Sequence, residues 1–147
     1  MSGIQYGVAW RDSYRLGDDR VDSQHYQIFK LVSELVGACH DGSSLEKVHE
    51  TLDFLVQYTI RHFHDEESLQ VKYGYPDYWA HKEKHEDFKV TVTGIVSKFQ
   101  QEGSSQELSD DMNKVIVRWL IHHITIEDMK IGKYLKEAEP YVVSARY

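Results

Sequence analysis

The clearest helical pattern in the chain lies in residues 45–73, LEKVHETLDFLVQYTIRHFHDEESLQVKY. One set of side chains in this segment recurs in alternating steps of three and four residues, the repeat of one face of an α-helix. Its members are Leu45, Val48, Leu52, Leu55, Thr59, His62, Glu66, Leu69 and Tyr73. Such a face packs against partner helices in a bundle, and the sequence Gly74-Tyr75-Pro76 predicts the end of the helix.

Three other segments show a helical pattern and complete the bundle. Helices are expected at about 22–39, 44–73, 77–101 and 107–137, after an irregular N-terminal arm at 1–21. Asp22 or Ser23 is the expected N-cap of the first helix, and the run Gly103-Ser104-Ser105 separates the last two helices. Because short loops favour antiparallel neighbours, the chain is predicted to be all-α. It should form a single domain, residues 1–147, with the up-down-up-down topology of an antiparallel four-helix bundle.

Composition excludes several classes of function. A chain of 147 residues with a net charge of −7 and no basic stripe is not expected to bind nucleic acid. Neither a signal-peptide-like apolar stretch nor a run of about 18 apolar residues is present, so membrane insertion is not expected. The single Cys39 suits a reducing compartment, which predicts a cytoplasmic location.

Polar side chains interrupt the inward stripes of three helices. His62 and Glu66 lie four residues apart on the second helix, His81 and His85 do so on the third, and His25 begins the stripe of the first. One buried histidine is usually an ordinary core residue. In an antiparallel bundle, however, the start of the first helix, the end of the second and the start of the third lie at the same end. Their convergence therefore predicts a metal site.

The fourth helix brings the stretch WLIHHITIED, residues 119–128, to the same end. Spacing alone does not choose between His122 and His123, since this segment is apolar on nearly every side. Glu127 is four residues from His123 and shares its face, whereas Asp128 is five away, about 140° around an ideal helix. The residues by themselves leave both the histidine and the acid open.

The donor types indicate which metal would bind. Imidazoles with carboxylates suit iron, zinc, copper or nickel. About five imidazoles and two carboxylates are too many for one tetrahedral zinc, whereas two metals bridged by the carboxylates would use them all. The Glu-x-x-His motif of carboxylate-rich di-iron bundles does not occur in these stripes. A nitrogen-rich pair of irons is therefore favoured.

Four motifs, in this order, resemble the hemerythrin family, specifically its single-domain bacterial members. They are D-S-Q-H at 22–25, H-F-H-D-E-E at 62–67, H-K-E-K-H-E-D-F at 81–88 and W-L-I-H-H-I-T-I-E-D at 119–128. The resemblance covers nearly the whole chain. It implies two non-haem irons, one held by His81, His85 and His123 and the other by His25 and His62. Glu66 and Asp128 would bridge them, together with an oxo or hydroxo group.

The family pattern W-L-x-x-H-I-x-x-x-D also settles the choice in the fourth helix. It selects His123 and Asp128, so the helix is expected to depart from α geometry between them, as a π-bulge. His122 and Glu127 should then tolerate substitution. Phe63, Trp119, Leu120 and Ile124 are candidates for a dry, apolar lining around the iron position left open, and His40, His49 and His64 are expected to have ordinary roles.

The resemblance implies reversible binding of dioxygen. The oxygen would be held as hydroperoxide on the open position of the two-histidine iron, for storage, transport or delivery to an oxygen-using partner protein. Two alternatives belong to other classes: a sensor of O2, NO or redox state, and a di-iron enzyme that turns over peroxide or NO. A sensor would ordinarily be fused to a signalling module. We expect a binding protein rather than an enzyme, because no acid–base pair apart from the ligands marks a catalyst.

Overall fold

Four long helices form the protein in this computed structural model, which describes residues 9–103 and 105–138. The first three helices are α1 (Asp19–His40), α2 (Leu45–Tyr73) and α3 (Tyr78–Glu102). The fourth helix, residues 106–137, combines the α-helical segments Gln106–Met112, Arg118–His122 and Asp128–Glu137 with the π-helical turns Asn113–Val117 and His123–Glu127. Each helix packs against its neighbours in the chain, and the fourth also packs against α1. The predicted up-down-up-down four-helix bundle is confirmed.

The helices begin and end where local side chains satisfy the terminal backbone groups. The side chain of Ser44 accepts a hydrogen bond from the Lys47 N–H at the start of α2. At its end, Gly74 takes up the left-handed conformation (φ 65°) and its N–H bonds back to the carbonyls of Gln70 and Val71. A residue without Cβ adopts this φ at little cost, so the predicted break is found at Gly74.

The first helix begins earlier than predicted. Asp18, rather than Asp22 or Ser23, is the N-cap, and its side chain accepts from the Val21 N–H at 3.1 Å. Asp22 lies inside the helix, where its two oxygens accept from the backbone N–H groups of Leu16 (2.7 Å) and Gly17 (3.2 Å). The last three residues of the predicted arm, 19–21, are therefore helical. Asp22 does not cap the helix, because its side chain bonds to the backbone of the arm.

The described part of the arm packs tightly against the bundle. Tyr14 belongs to a short 3-10 turn, and the Trp10 ring lies edge-on to Phe29 with 5.3 Å between centroids. Leu16 is buried and crosses the fourth helix at Gly132, where a Cβ would lie 2.6 Å from the Leu16 carbonyl oxygen. Only glycine permits this approach. Residues 1–8 of the predicted arm lie outside the described residues.

The buried face of α2 follows the predicted stripe and then drifts from it. Val48, Leu52 and Leu55 are buried as predicted, but at the end of the helix Gln70 is fully buried while Leu69 is only half-buried. An α-helix has 3.6 residues per turn, so a strict seven-residue repeat slips by about 20° per heptad. Over more than three heptads this slip moves the inward position by nearly one residue.

The two ends of the bundle differ in the chemistry of their interiors. At one end the core is apolar, with Leu35, Leu52, Phe99 and Ile116 each at most 1% exposed. At the other end histidines and carboxylates are buried just as deeply. Within the described residues, no helix is both long enough and apolar enough to cross a membrane.

Candidate metal centre

The seven predicted ligands lie together inside the polar end of the bundle. Each side chain is at most 3% exposed to solvent. All four helices contribute: α1 supplies His25, α2 His62 and Glu66, α3 His81 and His85, and the fourth helix His123 and Asp128. The structure therefore brings together the seven residues that the resemblance gave as ligands.

Three histidines form one half of the cluster. The Nε2 atom of His123 lies 2.9 Å from that of His85 and 3.1 Å from that of His81. These atoms, with one oxygen each from Glu66 and Asp128, constitute the three-histidine half. His25 and His62 form the two-histidine half with the other oxygens of the same carboxylates.

Each carboxylate divides its two oxygens between the halves. Glu66 Oε1 lies 2.9 Å from His81 Nε2 and 3.2 Å from His85 Nε2, whereas Glu66 Oε2 lies 3.3 Å from Nε2 of both His25 and His62. Asp128 Oδ1 likewise faces the three-histidine half, and its Oδ2 lies 3.0 Å from His25 Nε2. A carboxylate in this position can bridge two metal ions.

Histidines hold both carboxylates in the ionised form. Burial raises the pKa of Glu66, but hydrogen bonds from four histidines outweigh it and keep this pKa well below its usual range. Burial and the charge of Glu66 raise the pKa of Asp128, but His123 and His25 outweigh them and lower it. Two ionised carboxylates inside a protein require compensating positive charge, which bound cations or protonated histidines can supply.

The donor set fits a pair of metal ions. Candidate ligand atoms of Glu66, Asp128 and the three histidines of the first half lie within 4.8 Å of one another, as do those of the two carboxylates with His25 and His62. Three imidazole Nε2 atoms that face one another cannot all be satisfied by mutual hydrogen bonds, since each neutral ring has one donor and one acceptor. Cations shared by nitrogen and oxygen donors would satisfy them, and this ligand chemistry suits first-row transition metals.

A π-helical turn places Asp128 beside His123. Residues His123–Glu127 are π-helical, and the Asp128 N–H bonds to the His123 carbonyl five residues earlier. This turn aligns residues five apart, which regular α geometry would separate by about 140°. The predicted departure from α geometry is confirmed, whereas the second π-turn, at Asn113–Val117, was not predicted.

The alternative pair in the same stretch faces away from the cluster. The His122 side chain is 67% exposed, and its Nε2 lies 3.9 Å from Glu127 Oε2. Glu127 is also paired with Lys130 at 3.3 Å. The Glu127 side chain is 15% exposed, so the sequence neighbours of His123 and Asp128 lie next to each other apart from the cluster, with His122 the more exposed of the two. Away from the cluster, His40 and His64 are exposed, and His49 stacks on Phe99 with 6.0 Å between centroids.

Aromatic rings support the three-histidine half. Phe63 stacks on His85 with 3.8 Å between centroids and 5° between planes. Trp119 stacks on His123 at 4.4 Å and 12°, and Phe88 lies 4.4 Å from Trp119. Two of the four residues predicted to line the open position therefore stack on histidines of the three-histidine half. The other two, Leu120 and Ile124, are each 1% exposed and belong to the apolar core beside them.

Gln24 and Glu67, which were not predicted as site residues, contact the outer nitrogens of two histidines. His85 Nδ1 lies 2.7 Å from Glu67 Oε2, and Lys82 donates to the other oxygen of Glu67 at 3.0 Å. His62 Nδ1 lies 2.7 Å from Gln24 Oε1. Gln24 and Glu67 are each next in sequence to a predicted ligand, and this position was the only indication of their role. It was a weak indication, because adjacent residues point to different sides of a helix. Only the packing shows which neighbour each one reaches.

Comparison with known proteins agrees with this geometry. Residues 16–135 match the family described as the hemerythrin HHE cation binding domain. The bacteriohemerythrin of Stenotrophomonas maltophilia (strain R551-3) is 33% identical over 131 residues, which cover 88% of this chain and 82% of that protein. The bacteriohemerythrin of Methylococcus capsulatus is 32% identical over 114 residues, covering 78% and 85%. A crystal structure of a hemerythrin mutant superposes with a TM-score of 0.78 at 26% identity, covering 88% of this chain and 98% of that one. The chain therefore belongs to the hemerythrin family.

Proposed function

We propose that this protein binds dioxygen reversibly at two non-haem irons joined by an oxo or hydroxo bridge. The observation that carries the proposal is the division of Glu66 and Asp128 between a half with three histidines and a half with two. When bound, the iron pair would supply two electrons to dioxygen and would recover them on its release. We assign the protein to storage, transport or delivery of oxygen in the cytoplasm, to which its single cysteine is suited.

The two halves differ in the number of histidine ligands that they offer to a metal ion. His81, His85 and His123 supply three nitrogens to one metal position, and His25 and His62 supply two to the other. The two carboxylates serve both positions equally, so the two-histidine half has one fewer ligand from the protein. That half is where dioxygen would bind.

The surroundings favour reversible binding over committed oxidation. The neutral nitrogens outnumber the carboxylates, so the site stabilises ferric iron less than a carboxylate-dominated site would. The seven side chains of both halves are almost completely buried. The rings of Phe63 and Trp119 stack on His85 and His123 of the three-histidine half. Exclusion of water protects a bound oxygen species from exchange and proton leakage.

The test is an optical spectrum of the anaerobically reduced, iron-loaded protein before and after air. The expected result is a nearly colourless form that gains a visible charge-transfer band in air and loses it under low oxygen pressure, over repeated cycles. Irreversible oxidation at the first exposure would contradict the proposal. Asp128→Ala should abolish the band, whereas the matched Glu127→Ala variant should keep it, since Glu127 pairs with Lys130 outside the cluster.

A further inference from the structure

The outer nitrogens of three histidines in the cluster have unequal partners. His85 Nδ1 faces the carboxylate of Glu67 at 2.7 Å, and His62 Nδ1 faces the neutral amide oxygen of Gln24 at the same distance. His25 Nδ1 is buried with no hydrogen-bond partner among the described residues. A metal-binding histidine usually donates its second ring N–H to such a partner, which orients the ring and raises the basicity of the ligating nitrogen. Three histidines of one cluster therefore differ as donors.

Glu67 contacts α3 at two points. One oxygen binds His85, and the other accepts from Lys82 Nζ at 3.0 Å. Glu67 is only 8% exposed, while the Lys82 side chain is 34% exposed. The carboxylate is thus shielded from water where it meets the histidine, and the lysine withdraws part of its negative charge.

We propose that Glu67 is a positioning residue that makes the three-histidine half the stronger and more readily oxidised metal position, with Lys82 limiting this effect. The inference rests on the proposed iron pair. A carboxylate that accepts the Nδ1–H of His85 increases the electron density at Nε2, which favours a metal of higher charge. The amide of Gln24 carries no charge and does this less for His62. The protein thereby distinguishes two iron positions that share the same carboxylates.

Glu67→Gln tests the role of the charge, because glutamine retains an acceptor of nearly the same shape. In an anaerobic titration of the iron-free protein with ferrous iron, the tighter of two binding steps should weaken about 10–100-fold and the weaker step should be unchanged. The midpoint potential of the loaded protein should rise; a tenfold loss of preference for ferric over ferrous iron corresponds to about 59 mV for a one-electron couple. Lys82→Gln should act in the opposite direction, with tighter binding and a lower potential.

The matched control is Glu86→Gln. Glu86 bonds to Lys89 at 2.9 Å and lies 4.0 Å from Lys82, so its substitution removes a nearby charge on the exposed side of α3. This variant should keep both binding steps and the potential. If Glu67 only tied α2 to α3, Glu67→Gln and Lys82→Gln would both weaken binding, and that outcome would overturn the inference.

The iron content of the wild-type protein and the behaviour of Glu67→Gln separate the role of Glu67 from the proposed function. Wild-type protein that binds fewer than two irons would overturn both. Wild-type protein that binds two irons, with a Glu67→Gln variant of unchanged affinity and potential, would overturn only the role assigned to Glu67.

Discussion

Raising the pH should destabilise the metal-free protein, because two buried histidines hold protons that the carboxylates stabilise. Burial by itself lowers the pKa of His25 and of His81. Hydrogen bonds to Asp128 and Glu66, with the negative charges of these carboxylates, outweigh burial and raise each pKa from 6.5 to about 9. The stability contributed by a raised histidine pKa is fully present below the unfolded-state value and is lost as the pH rises through the folded-state value. The loss should therefore occur between pH 6.5 and about 9.

The expected magnitude follows from these pKa values. One pH unit of difference in pKa is worth about 1.4 kcal/mol, so either histidine taken alone accounts for a loss of about 3 kcal/mol in the free energy of unfolding. Screening by water is small, since the His25 and His81 side chains are 0% and 3% exposed. A domain of this kind has a total stability of about 5–15 kcal/mol, so the change is well within reach of measurement.

The assay is urea denaturation of the chelator-treated protein at several pH values from about 6 to about 10. Asp128→Asn should flatten the dependence on pH, because the hydrogen bonds to Asp128 help to raise the pKa of both histidines. His64→Ala, at an exposed position of α2, should keep the wild-type dependence. Wild-type stability that is constant or rises from pH 6.5 to about 9 would show that these two histidines do not hold protons in the metal-free fold.

The same protons should oppose metal binding. Histidine must be neutral to bind a metal, so loading at neutral pH has to displace the protons of His25 and His81. Affinity should rise with pH over the window in which the metal-free fold loses stability. Calorimetric titrations in buffers of different ionisation enthalpy would measure the protons released, and a result of none would contradict the assigned pKa values.

Three further predictions concern single residues. His123→Ala should lower the iron content of the purified protein below two per chain, whereas His122→Ala should leave it unchanged, because the His122 side chain is 67% exposed; metal analysis decides between them. Gly132→Ala should cost about 1–3 kcal/mol in urea denaturation, since its Cβ would lie 2.6 Å from a backbone oxygen. Gly94 lies in the middle of α3, where nothing is within 4 Å of an added Cβ, so Gly94→Ala should instead stabilise the protein by about 0.5–1 kcal/mol. A Gly94→Ala variant less stable than Gly132→Ala would contradict both expectations. Asp22→Ala should cost about 1–3 kcal/mol by the same assay, as it leaves two backbone N–H groups of the arm without their acceptor; an unchanged midpoint would speak against that role.

The start of α1 illustrates where reasoning from the sequence stops. Asp18 and Asp22 are both suitable N-caps by residue type, and the local sequence does not rank them. Asp18 caps the helix because Asp22 is engaged by the arm, whose path depends on the docking of Leu16 against Gly132. Contacts between segments far apart in the sequence thus determine which residue is the N-cap of α1.

The fourth helix illustrates the same limit at the candidate site. Ideal helix geometry favours Glu127 as the partner of His123, and only the family pattern pointed to Asp128. The π-turn at His123–Glu127 reverses the geometric preference, because it adds one residue to the turn between the two side chains. Spacing rules assume a regular helix, so they fail where the helix is irregular.

The four helices, their antiparallel order and the polar end of the bundle could all be predicted from the amino-acid sequence. These features depend on periodicity and on helix-breaking residues, which act over a few positions along the chain. Only the packing of the helices shows which oxygen of Glu66 and Asp128 lies in each half, that His122 is exposed, and that Glu67 reaches His85. These are distances between atoms, most of them on different helices, and they depend on how each helix is rotated and packed rather than on spacing within it.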